Sequence, residues 1–324
     1  MNHELPTELS AVARSLGTLR TEMSKAVLGQ DEVLEQVLVT LLCGGHALLE
    51  GVPGVAKTLT IRALAQAVSC VVKRIQFTPD LMPSDIVGTN VFDLSTNSFR
   101  LHTGPAFTDL LLADEINRAP AKTQAALLEA MAEGHVTIDG VRHPLSPVFT
   151  VFATQNPVEF EGTYSLPEAQ QDRFLMKVRV PYPDAQAERS VVEMVHRGAP
   201  PDRLDDGTVR PVMTLADLRA VRAALPRVQA EATVIDYLVN IVRATRDHES
   251  VLVGASPRGS IFLLGAAKAR ALLSGRDFVT PDDVVAMMVP VLGHRMTLTA
   301  EAEIAGETRA EVLRSILDKV EVPR

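Results

Sequence analysis

In the first part of the chain, short apolar runs alternate with stretches whose apolar positions recur every three or four residues. That alternation predicts strands and helices in turn, the layout of an α/β layer architecture. After a turn at Leu28-Gly29-Gln30, the positions Val33, Leu34, Val37, Leu38 and Leu41 predict a helix from Asp31 to about Cys43, with Asp31 as its cap. "HALLEG" predicts a short buried strand, followed by a loop and a helix over "TLTIRALAQAV". "CVVKRIQFT" predicts a second strand, rich in β-branched residues. A third lies in "FTDLLLADEI", where Leu110 to Ala113 end in two acids. A helix over "AKTQAALLEAMAEG" closes on Gly134. "VFTVFATQN" and "FLMKVRV" give a fourth and a fifth strand.

Two segments break this rhythm. "TNVFDLSTNSFRLHTGPAF", behind the short helical "MPSDIVG", predicts a hairpin turning at Ser95 to Ser98. "HVTIDGVRHPL" predicts another, centred on Asp139-Gly140, a pair suited to a type I′ turn. Both are expected as insertions rather than as strands of the main sheet. From about residue 185 onward the pattern is helical throughout, and the prolines of "PYP" stiffen the junction. The expected division is an α/β nucleotide-binding domain over residues 1–183 and a helical domain over residues 184–324.

Composition narrows the function. A hydrophobic share of 46% and a charged share of 22% are those of an ordinary soluble protein. No apolar run is long enough for a membrane span, and the first residues lack the apolar core of a signal peptide. Cys43 and Cys70 stand in apolar surroundings and suggest buried free thiols. The cytoplasm is therefore the expected compartment. Acids outnumber bases by 40 to 32, and there are no tryptophans and three tyrosines, which argues against a dedicated nucleic-acid surface.

The candidate chemistry begins at "GVPGVAKT", residues 51–58. A phosphate cradle needs a strand, a tight turn of backbone N–H groups and a helix start behind it. Gly51 and Gly54 supply flexible positions, Pro53 stiffens the turn, and Val55, Ala56 and Leu59 complete the cradle. Lys57 would reach the β and γ phosphates, and Thr58 would place a hydroxyl on Mg²⁺. The usual pattern has glycine before the lysine, whereas this chain has Ala56, expected at negative φ with its N–H toward phosphate. Taken alone, the loop could equally be a strand-to-helix turn with an incidental lysine.

A second motif weighs against that. Asp114 and Glu115 end a buried strand, and ligands of open α/β sheets sit at that edge. Asp114 would hold the Mg²⁺ water shell, and Glu115 would polarise the attacking water. Asn156, closing the fourth strand, could contact the γ-phosphate, or could simply cap the turn before Pro157.

The series "GVPGVAKT", "LLLADEINRAPAKTQAALLEAM", "FATQNPVEFEGTYSLPEAQQDRF" and "GASPRGS" resembles AAA+ ATPases, and within them the MoxR group. The segment from Glu159 to Phe174 is the most discriminating part of the likeness, and the two hairpins suit the branch of AAA+ proteins with inserted hairpins. The resemblance implies a P-loop three-layer sandwich with a parallel sheet, followed by an all-α lid. It implies ATP and Mg²⁺ as cofactors, with Lys57, Thr58, Asp114, Glu115 and Asn156 in the roles given above. It further implies that Arg173 reaches a neighbouring subunit's γ-phosphate, that Arg258 serves as a sensor in the lid, and that Gly29 and Gln30 border the adenine. By the residues alone, Arg173 and Arg258 could be structural ion pairs, and Gln30 a helix cap. Expected partners are further copies of the chain in a hexameric ring, a von Willebrand factor A domain protein, and a protein client. The rival is a nucleic-acid motor, for which the hairpins offer only Arg100, His102, Arg142 and His143 beside Asp93 and Asp139.

Overall fold

The computed structural model describes residues 7–156, 164, 166–204 and 207–323. In chain order, α1 (Thr7–Ser24) and α2 (Asp31–Leu42) lead into β1 (Ala47–Glu50), α3 (Lys57–Ala67) and β2 (Val72–Gln76). Next come α4 (Pro83–Val87), the hairpin β3 (Gly88–Asp93) and β4 (Ser98–Thr103), β5 (Leu110–Asp114) and α5 (Ala121–Glu133). A second hairpin, β6 (His135–Ile138) and β7 (Val141–Pro144), precedes β8 (Thr150–Gln155), α6 (Glu168–Gln171) and β9 (Met176–Arg179). The remainder is α7 (Ala185–His196), α8 (Leu215–Ala224), α9 (Ala232–Asp247), β10 (Val251–Val253), α10 (Pro257–Leu273), α11 (Pro281–Leu292), β11 (Thr297–Leu298), α12 (Ala300–Ile304) and α13 (Arg309–Leu317).

The five predicted strands form one parallel sheet in the order β2-β5-β8-β1-β9. Every residue of β5 is buried, as expected of a parallel strand covered on both faces. Side-chain alternation divides it: Leu110 and Leu112 join one core, Leu111 and Ala113 the other. The first core holds α1, α2 and α3 and continues without a break into the later helices as far as Ile316. The second lies under α5, around Phe77, Leu127 and Phe174. This is the expected three-layer arrangement. The later helices begin on strong signals: capping boxes Thr214/Asp217, Thr280/Asp283 and Thr308/Glu311, and prolines opening α10 and α11.

Both hairpins stand apart from the main sheet as separate two-stranded ribbons. The second turns on Asp139 at φ 49° and Gly140 at φ 79°, both left-handed as a type I′ turn requires. In the first, β4 begins at Ser98, so the turn occupies residues 94–97, one earlier than expected. Asp93 fixes it by accepting from the Ser95 backbone N–H at 2.8 Å. Asp31 is likewise the first residue of α2 rather than its cap; that position falls to Gln30, whose side chain makes no capping bond. Asp31 then acts through its charge at the helix N-terminus.

Outside the sequence expectations lie α1, α6, α12 and the ribbon of β10 with β11. The signal for α1 is present, since Leu9, Leu16, Leu19 and Met23 follow helical spacing and are buried. The β10 and β11 strands are too short to carry a pattern.

Candidate nucleotide site

The carboxyl ends of three adjacent strands, β5, β8 and β1, converge on the site, because Ala113 pairs with Ala153 and Glu50 with Gln155. From β1 the chain turns sharply at Gly51, where a Cβ would lie 2.5 Å from the Val180 carbonyl, so only glycine fits. Gly54 follows at φ 85° with no atom within 4 Å of its Cβ direction, leaving that side of the loop open. Ala56 is at φ 63° and ψ 18°, in the left-handed region. The expectation of negative φ is overturned. The loop needs a left-handed residue directly before the helix, which explains why the common pattern has glycine there.

Lys57 opens α3 and folds back over the loop, donating to the Gly51 carbonyl and, at 3.2 Å, to that of Val52. The ammonium is thus held above the turn. Gln30, 5% exposed, donates from Nε2 to the Val55 carbonyl at 3.2 Å and joins the α2 entry to the loop. Its Oε1 is buried and has no hydrogen-bond partner among the described residues. Gly29, at φ 68°, meets Ala187 of α7, where a Cβ would approach to 2.3 Å.

Around the loop lies a cleft of about 680 Å³. Of the predicted residues, Gln30, Pro53, Gly54, Val55, Ala56, Lys57, Thr58 and Leu59 line it, whereas Gly29 and Gly51 shape it from behind. The sequence reading missed its far walls: Arg62 of α3, Tyr182 and Pro183 ahead of α7, and Glu188 in its first turn. The volume is that of a drug-sized or nucleotide ligand.

Asp114 and Glu115 lie across β8 from the loop and do not line the cleft. Asp114 is buried; its Oδ1 accepts from the Thr154 hydroxyl at 3.0 Å and its Oδ2 from Arg74 Nε at 2.6 Å. Glu115, at φ 56°, accepts from Gln76 and, at 3.1 Å, from Arg118, and its backbone N–H donates to Thr154 at 2.9 Å. Arg74 also donates to Gln76 at 3.1 Å. Arg74, Gln76 and Thr154 were not among the predicted residues, because their role depends on β2 and β8 flanking β5. Asn156, buried, follows β8 directly between the loop and the acids.

Arg173 and Arg258 are not in the cleft. Arg173 is exposed and donates to the Leu128 carbonyl of α5 at 3.0 Å. Arg258, in the first turn of α10, pairs with Asp172 at 3.4 Å. Asp172 and Arg173 precede the amino end of β9, which runs parallel to β1, so they and Arg258 lie opposite the strand end that carries the loop. Of the segment Glu159 to Phe174, residues 159–163 and 165 lie outside the described residues.

A parallel sheet, a glycine-turned loop holding a lysine at a helix start, and acids ending a strand one removed from that loop are the layout of a P-loop nucleotide-binding domain. Residues 46–176 match the model of the ATPase family associated with various cellular activities, and residues 243–316 that of the AAA lid domain. The chain is 42% identical to the Chaperone MoxR1 of Mycobacterium tuberculosis, over 99% of this chain and 87% of that one. It is 45% identical to the uncharacterized protein YeaC of Bacillus subtilis, over 95% of each chain. The crystal structure of a candidate ATPase from Cytophaga hutchinsonii superimposes with a TM-score of 0.90 at 38% identity, covering 98% of this chain and 97% of the other. The chain belongs to the MoxR family of AAA+ ATPases.

Proposed function

We propose that the chain is a Mg²⁺-dependent ATP hydrolase that works as a hexameric ring to remodel or activate a protein client. The observation that carries this reading is the cleft whose floor is the Gly51-to-Thr58 loop with Lys57 held over it. The donor set suits the ligands: an ammonium for phosphate, the Thr58 hydroxyl and Asp114 carboxylate for Mg²⁺, and open space beside Gly54. Bound there, Mg²⁺ would neutralise charge on the phosphates. Lys57 would move from the loop carbonyls to phosphate oxygens. Glu115 would orient the attacking water, with Asn156 fixing it from the adjacent strand end. Gly29 and Gln30 would border the adenine, and the unpartnered Gln30 Oε1 supplies an acceptor there.

Arg173 and Arg258 are assigned to the terminal phosphate of the neighbouring subunit, since they lie toward the amino end of β9, opposite the strand ends that carry the loop, the acids and Asn156. The working division remains residues 1–183 and 184–324, with α7 closing the cleft from the second part. The hairpins would act on the client. Leu94 is 87% and Phe99 71% exposed, and Phe92 stacks edge-on against Phe99, a surface suited to protein rather than to a phosphate backbone. A von Willebrand factor A domain protein is the proposed partner, and the cytoplasm the proposed compartment, where ATP is abundant and free Cys43 and Cys70 stay reduced.

Lys57→Ala is expected to abolish ATP binding in a calorimetric titration, and Glu115→Gln to retain binding while losing hydrolysis. Unchanged affinity in the first variant would sink the phosphate-loop assignment; full turnover in the second would remove Glu115 from the water-activating role.

A further inference from the structure

Asp172 sits between two arginines of different character. Its Oδ1 lies 2.8 Å from Arg295 Nε, a charge contact without hydrogen-bond alignment, and its Oδ2 lies 3.4 Å from Arg258 Nη1. The Arg295 side chain is 1% exposed and donates to the carbonyls of Asp172, Phe174 and Leu175, the residues on either side of Arg173. Burial lowers its pKa to about 10, so it remains charged at neutral pH. A buried guanidinium needs a counter-charge, and Asp172 supplies it. The Arg258 side chain is 53% exposed, and an ion pair this open to water is weak and exchangeable.

We infer that Asp172 is a positioning residue, anchored on buried Arg295 and holding Arg258 ready for the neighbour's terminal phosphate, to which Arg173 is also assigned. This rests on the reading of those arginines as donated between subunits. The physical division of labour follows from burial. The Arg295 contact fixes the acid in place, while the Arg258 contact orients a long side chain without trapping it. A phosphate, with more charge and more oxygens than a carboxylate, can then take Arg258 over without a search through its rotamers.

Mixed rings test this. Arg173→Ala subunits keep an intact cleft and lack the donated arginine, whereas Lys57→Ala subunits keep the arginines and lack a working cleft. Mixing them should restore hydrolysis at mixed interfaces. With Asp172→Asn added to the Lys57→Ala donor, the restored kcat should fall about tenfold while KM for ATP is unchanged. Arg258→Ala in the donor, a change at an exposed site, should cause a similar fall. Combining it with Asp172→Asn should add nothing, because Asp172 acts through Arg258. A restored kcat untouched by Asp172→Asn, or losses that simply multiply, would overturn the positioning role alone. Absence of rescue by the unaltered donor would overturn the donation of arginines, and the inference with it.

Discussion

Ala56 occupies a left-handed backbone position at φ 63°, immediately before the helix that carries Lys57. An L-residue with a Cβ is disfavoured there by about 1–2 kcal/mol, whereas glycine is not. Part of that difference is offset by the greater freedom glycine has in the unfolded chain. Ala56→Gly is therefore expected to stabilise the fold by up to about 1 kcal/mol and to leave ATP affinity intact or improved. Thermal melts and nucleotide titrations would check it, and a clear loss of stability would show that the methyl group makes a contact worth more than the strain. Lys57, Asp114 and Glu115 were legible in the sequence because each ends or begins a segment with a strong apolar pattern. The sign of φ at Ala56 was not, since the residue type argued the wrong way and only the closed loop decides it. Arg74 and Gln76 were also illegible: nothing along "CVVKRIQFT" says that this strand borders β5.

Among the elements, α11 shows how the helical part is joined to itself and to the sheet. Asp283 completes its capping box with Thr280 at 2.9 Å and receives Arg276 at 2.6 Å and Arg270 at 2.7 Å. Arg270, on α10, also approaches Glu35 of α2 at 3.5 Å. Burial pushes the Asp283 pKa up, but hydrogen bonds from Arg276, Thr280 and Arg270 outweigh it and the net shift is downward. Asp283→Ala would leave two half-buried guanidinium groups without their shared acid and remove a helix cap. The expected cost is about 3 kcal/mol, at the lower end for a buried pair because both arginines keep some access to water. Urea denaturation would read it, and Arg276→Ala in that background should add little. A cost below about 1 kcal/mol would mean that the cluster behaves like an exposed pair. The capping half of this cluster is local, within "TPDD", whereas its arginines come from α10 and from the loop that joins it to α11.

At the scale of the molecule, acid should loosen the joint between sheet and covering layers before it reaches the carboxylates. His46, at the start of β1, accepts at Nδ1 from the Val151 N–H at 2.9 Å, which leaves its other nitrogen to donate to the Met131 carbonyl of α5 at 3.2 Å. Burial, opposed by the Met131 bond and aided by the nearby charge of Arg222, lowers its pKa from 6.5 to about 4. His294, against the Phe174 carbonyl and beside Arg295 and Lys177, is also held well below its usual value, first by burial. Both rings are therefore neutral in the fold, while the unfolded chain takes up protons below about pH 6.5. Stability follows the excess of protons bound by the unfolded state, so it is complete above pH 6.5 and declines as pH falls toward 4. For His46 alone the shift corresponds to about 3 kcal/mol. Asp283, shifted downward, keeps its contribution through this window and loses it only at lower pH. Unfolding free energies from urea titrations at pH 7, 6 and 5 should fall progressively, with the steepest loss below pH 6. A flat profile over that range would mean that His46 and His294 take up protons inside the fold, and that the sheet and helices can part around them without unfolding.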